Sequence, residues 1–323
     1  MADLHIKNTP PLVSVIIPTL NGEQFLKQAI DSVYKQSFQN FELIITDDVS
    51  TDGTEKIVSK YQKDSRLYFF QNKNRLGIGG NWNYGIQQAR GKYIKILCQD
   101  DLLMENYLEE KISVLEEFDS VTLVSSFEEF LGEFERVKNR ANLPAINRDS
   151  KLANRIDGHK AQQTIFKFGN WIGGPTSAMF RSKDLRDIGF FNESLSCSLD
   201  TEYWLRLLAV GDLFIVPKIL FKTRLHRAQE SNNCIRNLGF RKDRIHILHA
   251  VKTTPELFGN HDIPELNRLS DRSMLKLLEG AKSNTVRFWD ACIYIKNYST
   301  IHKTLFILFK FLGIKIYQKL FKK

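Results

Sequence analysis

LVSVIIPTLNG (residues 12–22) and FELIITDDVSTDG (residues 41–53) decide the fold. Each is a short apolar run that ends abruptly in turn-forming residues, Pro18-Thr19-Leu20-Asn21-Gly22 in the first and Asp47-Asp48-Val49-Ser50-Thr51-Asp52-Gly53 in the second. Between them Leu26, Ala29, Ile30 and Val33 recur at i, i+3, i+4 and i+7, the spacing of a buried helical face. The alternation continues. Ile57, Val58 and Tyr61 predict a helix, Leu67 to Phe70 a strand, and Trp82, Ile86 and Ala89 a second helix. Tyr93 to Leu97 predict a fourth strand that runs into Cys98-Gln99-Asp100-Asp101, before Leu108, Ile112 and Leu115 return to helical spacing. Such alternation implies an α/β fold, with a Rossmann-like, mostly parallel sheet flanked by helices. Ligands then bind beyond the carboxyl ends of the strands. The turns PTLNG, DDVSTDG and CQDD must therefore gather at one sheet edge.

Beyond about residue 120 the pattern loosens. Residues 121–125 predict a strand, 128–165 irregular connections with short helices, and 201–210 a helix with Asp200 and Glu202 in its first turn. Asn170 to Thr176 form a Gly/Pro turn cluster, and 235–323 are mainly helical, with Met274, Leu277, Leu278 and Ala281 as one stripe. The chain has 323 residues, 42% hydrophobic and 26% charged, a globular composition. No apolar run reaches the roughly 18 residues that span a bilayer, and the first ten residues lack a signal core. A cytoplasmic protein is the expectation. Its four cysteines (98, 197, 234, 292) are scattered without a CxxC pair, so reduced thiols are expected.

Two resemblances fail on inspection. Gly77-Ile78-Gly79-Gly80-Asn81-Trp82 approaches GxGxxG, but Trp82 occupies the third glycine position and the segment does not follow the first strand. Ser50 stands where an aspartyl-phosphate enzyme needs its nucleophile. Asp100-Asp101 is more informative. Adjacent carboxylates repel unless a cation or donors neutralise them, and Mg²⁺ or Mn²⁺ takes oxygen ligands and bridges to diphosphates. A helix cap is the competing explanation. Asp47-Asp48 can accept from a base or ribose, or make an Asx turn. Asp200 is equally a helix cap, and His226 equally a structural imidazole.

VSVIIPTLNGEQFLKQAIDSVYKQSFQNFELIITDDVSTDGT resembles the amino-terminal signature of family 2 glycosyltransferases, GT-A fold enzymes that use nucleotide-sugar donors. The likeness continues through Asn74-Arg75-Leu76-Gly77, Ala89 to Ile94 and Gln99-Asp100-Asp101. It resumes at Ile188 to Leu195, Asp200 to Arg206 and Arg224-Leu225-His226, and covers roughly 11–231. The resemblance implies that Pro18, Thr19, Asn21, Asp47 and Asp48 cradle the nucleoside, with Asp47 accepting from a pyrimidine N–H and Arg75 beside the nucleotide. Asp100 and Asp101 would hold ribose and a metal-bound diphosphate (Mn²⁺ or Mg²⁺), and His226 would complete that site. Asp200 would be the general base of an inverting transfer from a UDP- or dTDP-sugar. Trp171, Gly174 and Glu202 are acceptor-side candidates. Cys98 and Leu199 depart from the family pattern, where many relatives carry acids.

By this reading 1–231 is the catalytic domain, with a nucleotide half (about 11–118) and an acceptor half (about 119–231), and 232–323 is a helical extension. The net charge is +9, yet residues 301–323 alone hold six lysines and no acid, amid Phe, Leu and Ile. That composition suits an anionic membrane surface rather than nucleic acid. The expectation is an enzyme peripheral to the inner face of the plasma membrane, acting on a lipid-linked or polysaccharide acceptor. Two rivals stand beside it. One is a catalytically silent nucleotide-binding module that recruits partners to membrane. The other is a sugar-1-phosphate nucleotidyltransferase, for which PTLNGEQF lacks the glycine-rich basic loop.

Overall fold

The structure is a computed structural model that describes residues 10–132, 154–281, 285–298 and 307. β1 (Val13–Thr19), β2 (Phe41–Asp47), β3 (Leu67–Gln71) and β4 (Tyr93–Ile96) are parallel neighbours in the order β3-β2-β1-β4. α1 (Leu26–Tyr34), α2 (Thr54–Val58) and α3 (Gly77–Gln88) connect them. Val13, Val15 and Ile17 share a buried cluster with Leu26, Ala29, Ile30 and Val33 of α1. Ile16 points the other way, towards α3, where a Cβ on Gly85 would lie 2.5 Å from its Cγ2. Both faces of the sheet are thus covered, which explains why these strands are continuous apolar runs rather than alternating ones. Register aligns the strand ends: Thr19 pairs with Asp47, Asp47 with Gln71, and Ile16 with Ile96.

The glycines of the near-GxGxxG segment open α3. A Cβ on Gly79 would come within 2.8 Å of Leu199 Cδ2 and 3.1 Å of the Glu193 backbone, so close packing accounts for that residue.

After β5 (Leu102–Leu103) and α4 (Tyr107–Glu117) the sheet becomes mixed. β6 (Val121–Leu131) runs past the expected strand end at 125. Beyond residues 133–153, in a stretch expected to hold irregular connections with short helices, stand the short strand β7 (Arg155–Ile156) and the helix α5 (Gly158–Phe168), which runs past 165. β8 (Met179–Arg181) lies antiparallel between β4 and β6, and α6 (Leu185–Ile188) and α7 (Leu199–Val210) precede β9 (Asp212–Arg224). β9 runs parallel to β6 and antiparallel to β5, with Lys222 opposite Leu102. That register carries the end of β9 back to Asp100-Asp101. Phe180, Phe191, Tyr203 and Trp204 pack together under α7, with Phe191 and Tyr203 stacked at 3.9 Å.

The described residues up to Ser194, with Leu199–His226, form one compact unit; Leu195–Ser198 and those from Arg227 onward form another. The second contains α8 (Glu230–Arg236), α9 (Gly239–Thr253), α10 (Pro255–Phe258), α11 (Ile263–Ala281) and α12 (Thr285–Asn297). Met274, Leu277, Leu278 and Ala281 are fully buried against Ile245, Ala291 and Ile295. The basic tail, Ile307 apart, lies outside the described residues.

Reduced thiols throughout were expected, but Cys197 and Cys234 are joined by a disulfide. They are 37 residues apart, so no short sequence motif marks the pair. The Asp243 carboxylate accepts from the backbone N–H groups of Cys197 (2.7 Å) and Ser198 (2.8 Å), holding that segment in place. Gly239 leaves the room that the Cys197 sulfur occupies.

One turn at the sheet edge is strained. Val49 has φ 63°, left-handed space that a β-branched residue rarely enters. Val49→Gly should raise the thermal unfolding midpoint by about 1–3 °C, since the relieved strain exceeds the added unfolded-state entropy; a lower midpoint would contradict this. Thiol titration of the denatured, unreduced chain should find only Cys98 and Cys292 reactive, with all four reactive after reduction.

Candidate active site

The turn after β1 is tied to the turns after β2 and β4. Asn21 adopts φ 49°, its N–H donates to Ser50 Oγ (2.7 Å), and its Oδ1 accepts from the Thr51 N–H (2.9 Å). Asp48 N–H donates to the Thr19 carbonyl at 2.9 Å. Gln99 makes the second tie: its Oε1 accepts from Thr19 Oγ1 (2.5 Å) and Leu20 N–H (3.0 Å), and its Nε2 donates to the Leu20 carbonyl (3.1 Å). Pro18 and Thr19 close β1 inside this frame.

Asp47 is 1% exposed. Its carboxylate accepts from Ser50 N–H (3.1 Å), Ser50 Oγ and Gln71 Nε2 (3.2 Å). Asp48 is 3% exposed and accepts from the N–H groups of Leu76 (2.7 Å) and Gly77 (2.9 Å) and from Asn72 Nδ2 (3.0 Å). It sits at the amino end of α3, where the helix dipole favours an anion. Exposed Arg75 stands 4.0 Å from it.

Asp100 and Asp101 follow β4. Asp100 Oδ2 lies 2.9 Å from His226 Nε2, and the His226 ring packs on Phe25 at 4.9 Å. Asp101, 5% exposed, accepts from Thr176 Oγ1 (2.6 Å) and the Arg224 N–H (2.9 Å). Arg224 Nε donates to the Asp100 carbonyl (3.0 Å) while its guanidinium covers Phe25 at 4.5 Å. Burial, with the Asp100 charge adding to it, pushes the Asp101 carboxyl up to about 7. Burial and the two carboxylates likewise push the Cys98 thiol up, so it stays protonated at neutral pH. Ligand atoms of Cys98, Asp100 and Asp101 all lie within 4.8 Å of one another. Asp100 and Asp101 fit a divalent cation, because two carboxylates so close want a neutralising charge.

Asp200 stands in the first turn of α7. Its Oδ2 accepts from Asn170 Nδ2 (3.1 Å) and its Oδ1 from the Thr201 N–H (2.6 Å). A Cβ on Gly174 would meet only Asp200 Oδ2, at 3.9 Å, so space lies open beside the carboxylate. Trp171 is half-buried, and its indole N–H has no hydrogen-bond partner among the described residues. Glu202 is not with them. It is 4% exposed, and its carboxylate is paired with Arg206 at 2.7 and 2.9 Å. Arg206 in turn donates to the carbonyls of Ile188 and Phe190. This buried ion pair sets Glu202 apart from the other acceptor-side candidates, Trp171 and Gly174.

The structure thus ties the acid-bearing turns together through short polar bridges: Asp47 and Asp48 to the Thr19 turn, Gln99, next to Asp100 in the chain, to the same turn, and Asp101 through Thr176 to the loop that touches Asp200. Gln99, Asn170, Thr176 and Arg224 are the residues that sequence reasoning passed over. Gln99 was visible inside CQDD, and Asn170 and Thr176 bound the Gly/Pro cluster, but neutral side chains carry no charge signal.

The family model described as Glycosyl transferase family 2 matches residues 14–189. An uncharacterized glycosyltransferase of Rickettsia typhi is 31% identical over 71% of this chain and 68% of its own. One of Methanocaldococcus jannaschii is 29% identical over 75% and 79%. Among solved structures, S. aureus TarS 1–349 in complex with UDP-GlcNAc superposes with a TM-score of 0.64 at 17% identity, covering 90% of this chain and 82% of that one. Mannosyltransferase PcManGT from Pyrobaculum calidifontis, in complex with GDP-Man and Mn²⁺, gives 0.58 at 17% identity, covering 97% and 84%. The family model covers more than half of the chain and the Rickettsia typhi relative is 31% identical, so the chain belongs to glycosyltransferase family 2, and it has the GT-A fold.

Proposed function

We propose that this protein is an inverting, divalent-metal-dependent glycosyltransferase that moves one sugar from a UDP- or dTDP-sugar to a hydroxyl of a lipid-linked oligosaccharide or surface polysaccharide. The observation that carries this is the bridged set of carboxylates at the carboxyl edge of the sheet, with Asp200 beside open space. TarS binds UDP and UDP-GlcNAc, and PcManGT binds GDP-Man and Mn²⁺, which supports a nucleotide-sugar donor here.

In this reading Pro18, Thr19, Asn21 and Asp47 line the nucleoside, and Arg75 approaches the phosphates. Asp48 acts by fixing the amino end of α3. Asp100 and Asp101 hold the ribose and the cation, with His226 orienting Asp100. When bound, Mn²⁺ or Mg²⁺ supplies Lewis-acid stabilisation of the departing diphosphate. A sugar hydroxyl is a poor nucleophile, so Asp200 takes its proton as the new C–O bond forms. Attack from the face opposite the leaving group inverts the anomeric centre. Trp171 and Gly174 border the acceptor.

Asp200→Asn should lower transfer by about 10²–10⁴-fold with nucleotide affinity retained; a loss below tenfold would remove Asp200 as the base. A thermal-shift panel of UDP, dTDP, GDP and CMP with and without Mn²⁺ should stabilise the protein with one pyrimidine diphosphate. At a hundred times its dissociation constant a ligand adds about 2.7 kcal/mol, and silence from every nucleotide would defeat the proposal. Asp101 must lose its proton to take a cation, and its carboxyl is raised to about 7. Calorimetry should therefore find Mn²⁺ affinity weakening as pH falls below that value. The composition of 301–323 supports membrane contact, so the protein should float with vesicles containing phosphatidylglycerol and not with pure phosphatidylcholine vesicles.

A further inference from the structure

We propose that the loop of residues 170–178 is a single positioning strap, in which Thr176 orients Asp101 on the donor side and Asn170 orients Asp200 on the acceptor side. The inference rests on the glycosyltransferase reading and deepens it.

Neither side chain has freedom to turn. Thr176 Oγ1 accepts the Cys98 N–H at 3.2 Å, which leaves its one hydroxyl proton for Asp101 at 2.6 Å. Asn170 Oδ1 accepts from the N–H groups of Ile172 (3.1 Å) and Gly173 (3.2 Å). The amide is thereby oriented so that Nδ2 donates to the Gly173 carbonyl and to Asp200, both at 3.1 Å. The loop between them is braced too: Ser125 Oγ donates to the Ile172 carbonyl (2.8 Å) and Trp204 Nε1 to the Gly173 carbonyl (3.0 Å).

The far end of the strap is gripped from below by side chains that are all fully buried. Lys95 Nζ donates to the carbonyls of Pro175 (3.1 Å), Thr176 and Ala178 (3.4 Å). Lys111 Nζ donates to those of Ser177 and Val124. Tyr107 lies between the two lysines, its ring 4.5 and 4.4 Å from their Nζ atoms, and its hydroxyl donates to the Thr176 (3.0 Å) and Ala178 (3.1 Å) carbonyls. Four consecutive carbonyls are thus held, which is far more than a surface turn requires. Groups that orient ligating or reacting side chains are typically worth about 10–100-fold in affinity or rate.

The test separates the two ends in the full-length protein. Thr176→Val should weaken Mn²⁺, measured by electron paramagnetic resonance of the free ion and by calorimetry of UDP with Mn²⁺, by about 10–100-fold. UDP alone should bind it unchanged, and Thr176→Ser should restore the wild-type value. Asn170→Ala should leave Mn²⁺ and UDP binding intact. It should slow release of the matching nucleoside diphosphate, UDP or dTDP, from whichever UDP- or dTDP-sugar the wild type turns over, by about 10–100-fold in kcat with the donor KM unchanged. Lys95→Met should impair both readouts together. The strap is overturned if Thr176→Val binds Mn²⁺ like wild type, if Asn170→Ala keeps its kcat, or if both defects merely follow a shared fall in thermal midpoint with Thr176→Ser no better than Val. A wild type that binds none of UDP, dTDP and Mn²⁺ overturns the proposed function and the strap with it. A wild type that binds both nucleotide and Mn²⁺, while Thr176→Val binds Mn²⁺ equally well, overturns the strap alone.

Discussion

Crowding of like charge at one sheet edge is the constraint from which the site follows. A doubly wound sheet brings the ends of β1, β2 and β4 level, and in this chain Asp47, Asp48, Asp100 and Asp101 follow those strands closely. Each carboxylate is given its own donors. Asp48 has two backbone N–H groups and an amide, Asp47 a hydroxyl, an N–H and an amide, and Asp101 a hydroxyl and an N–H. Asp100 has the imidazole of His226. Donors from neutral groups stabilise an anion without cancelling it. The edge remains acidic around Asp100 and Asp101, where one bound cation would relieve both at once.

The first half of the fold was legible because both faces of its sheet are buried. Continuous apolar strands alternate with helices whose inward residues obey a single period, and Leu26, Ala29, Ile30 and Val33 are all fully buried as spaced. The acidic turns were legible for the same reason, since strand ends in such a sheet have nowhere else to meet. Legibility failed where long-range packing decides. Glu202 shares the first turn of α7 with Asp200 and differs only in which way it points, and its partner Arg206 lies one turn on. Nothing local says that the pair turns inward. The insertion of β8 between β4 and β6 is equally a property of the assembled sheet.

The glycine-rich start of α3 makes the same point from the other side. Read locally it approaches a phosphate-binding motif; in three dimensions Gly79 and Gly85 let the helix pass close to Leu199, Glu193 and Ile16. Asp48, which the family resemblance sets against the nucleoside, spends its acceptors on the N–H groups that open this helix. One carboxylate thus links the acidic edge of the sheet to the packing of the whole layer.

The Cys197–Cys234 bond has a topological consequence. Counted along the chain, it closes a covalent ring that contains Asp200, all of β9, Arg224 and His226. A protease cut within β9 would open that ring without releasing a fragment, so the Asp200-bearing and His226-bearing stretches would travel as one species on an unreduced gel. Only after the sulfurs are parted would the nicked chain separate into two.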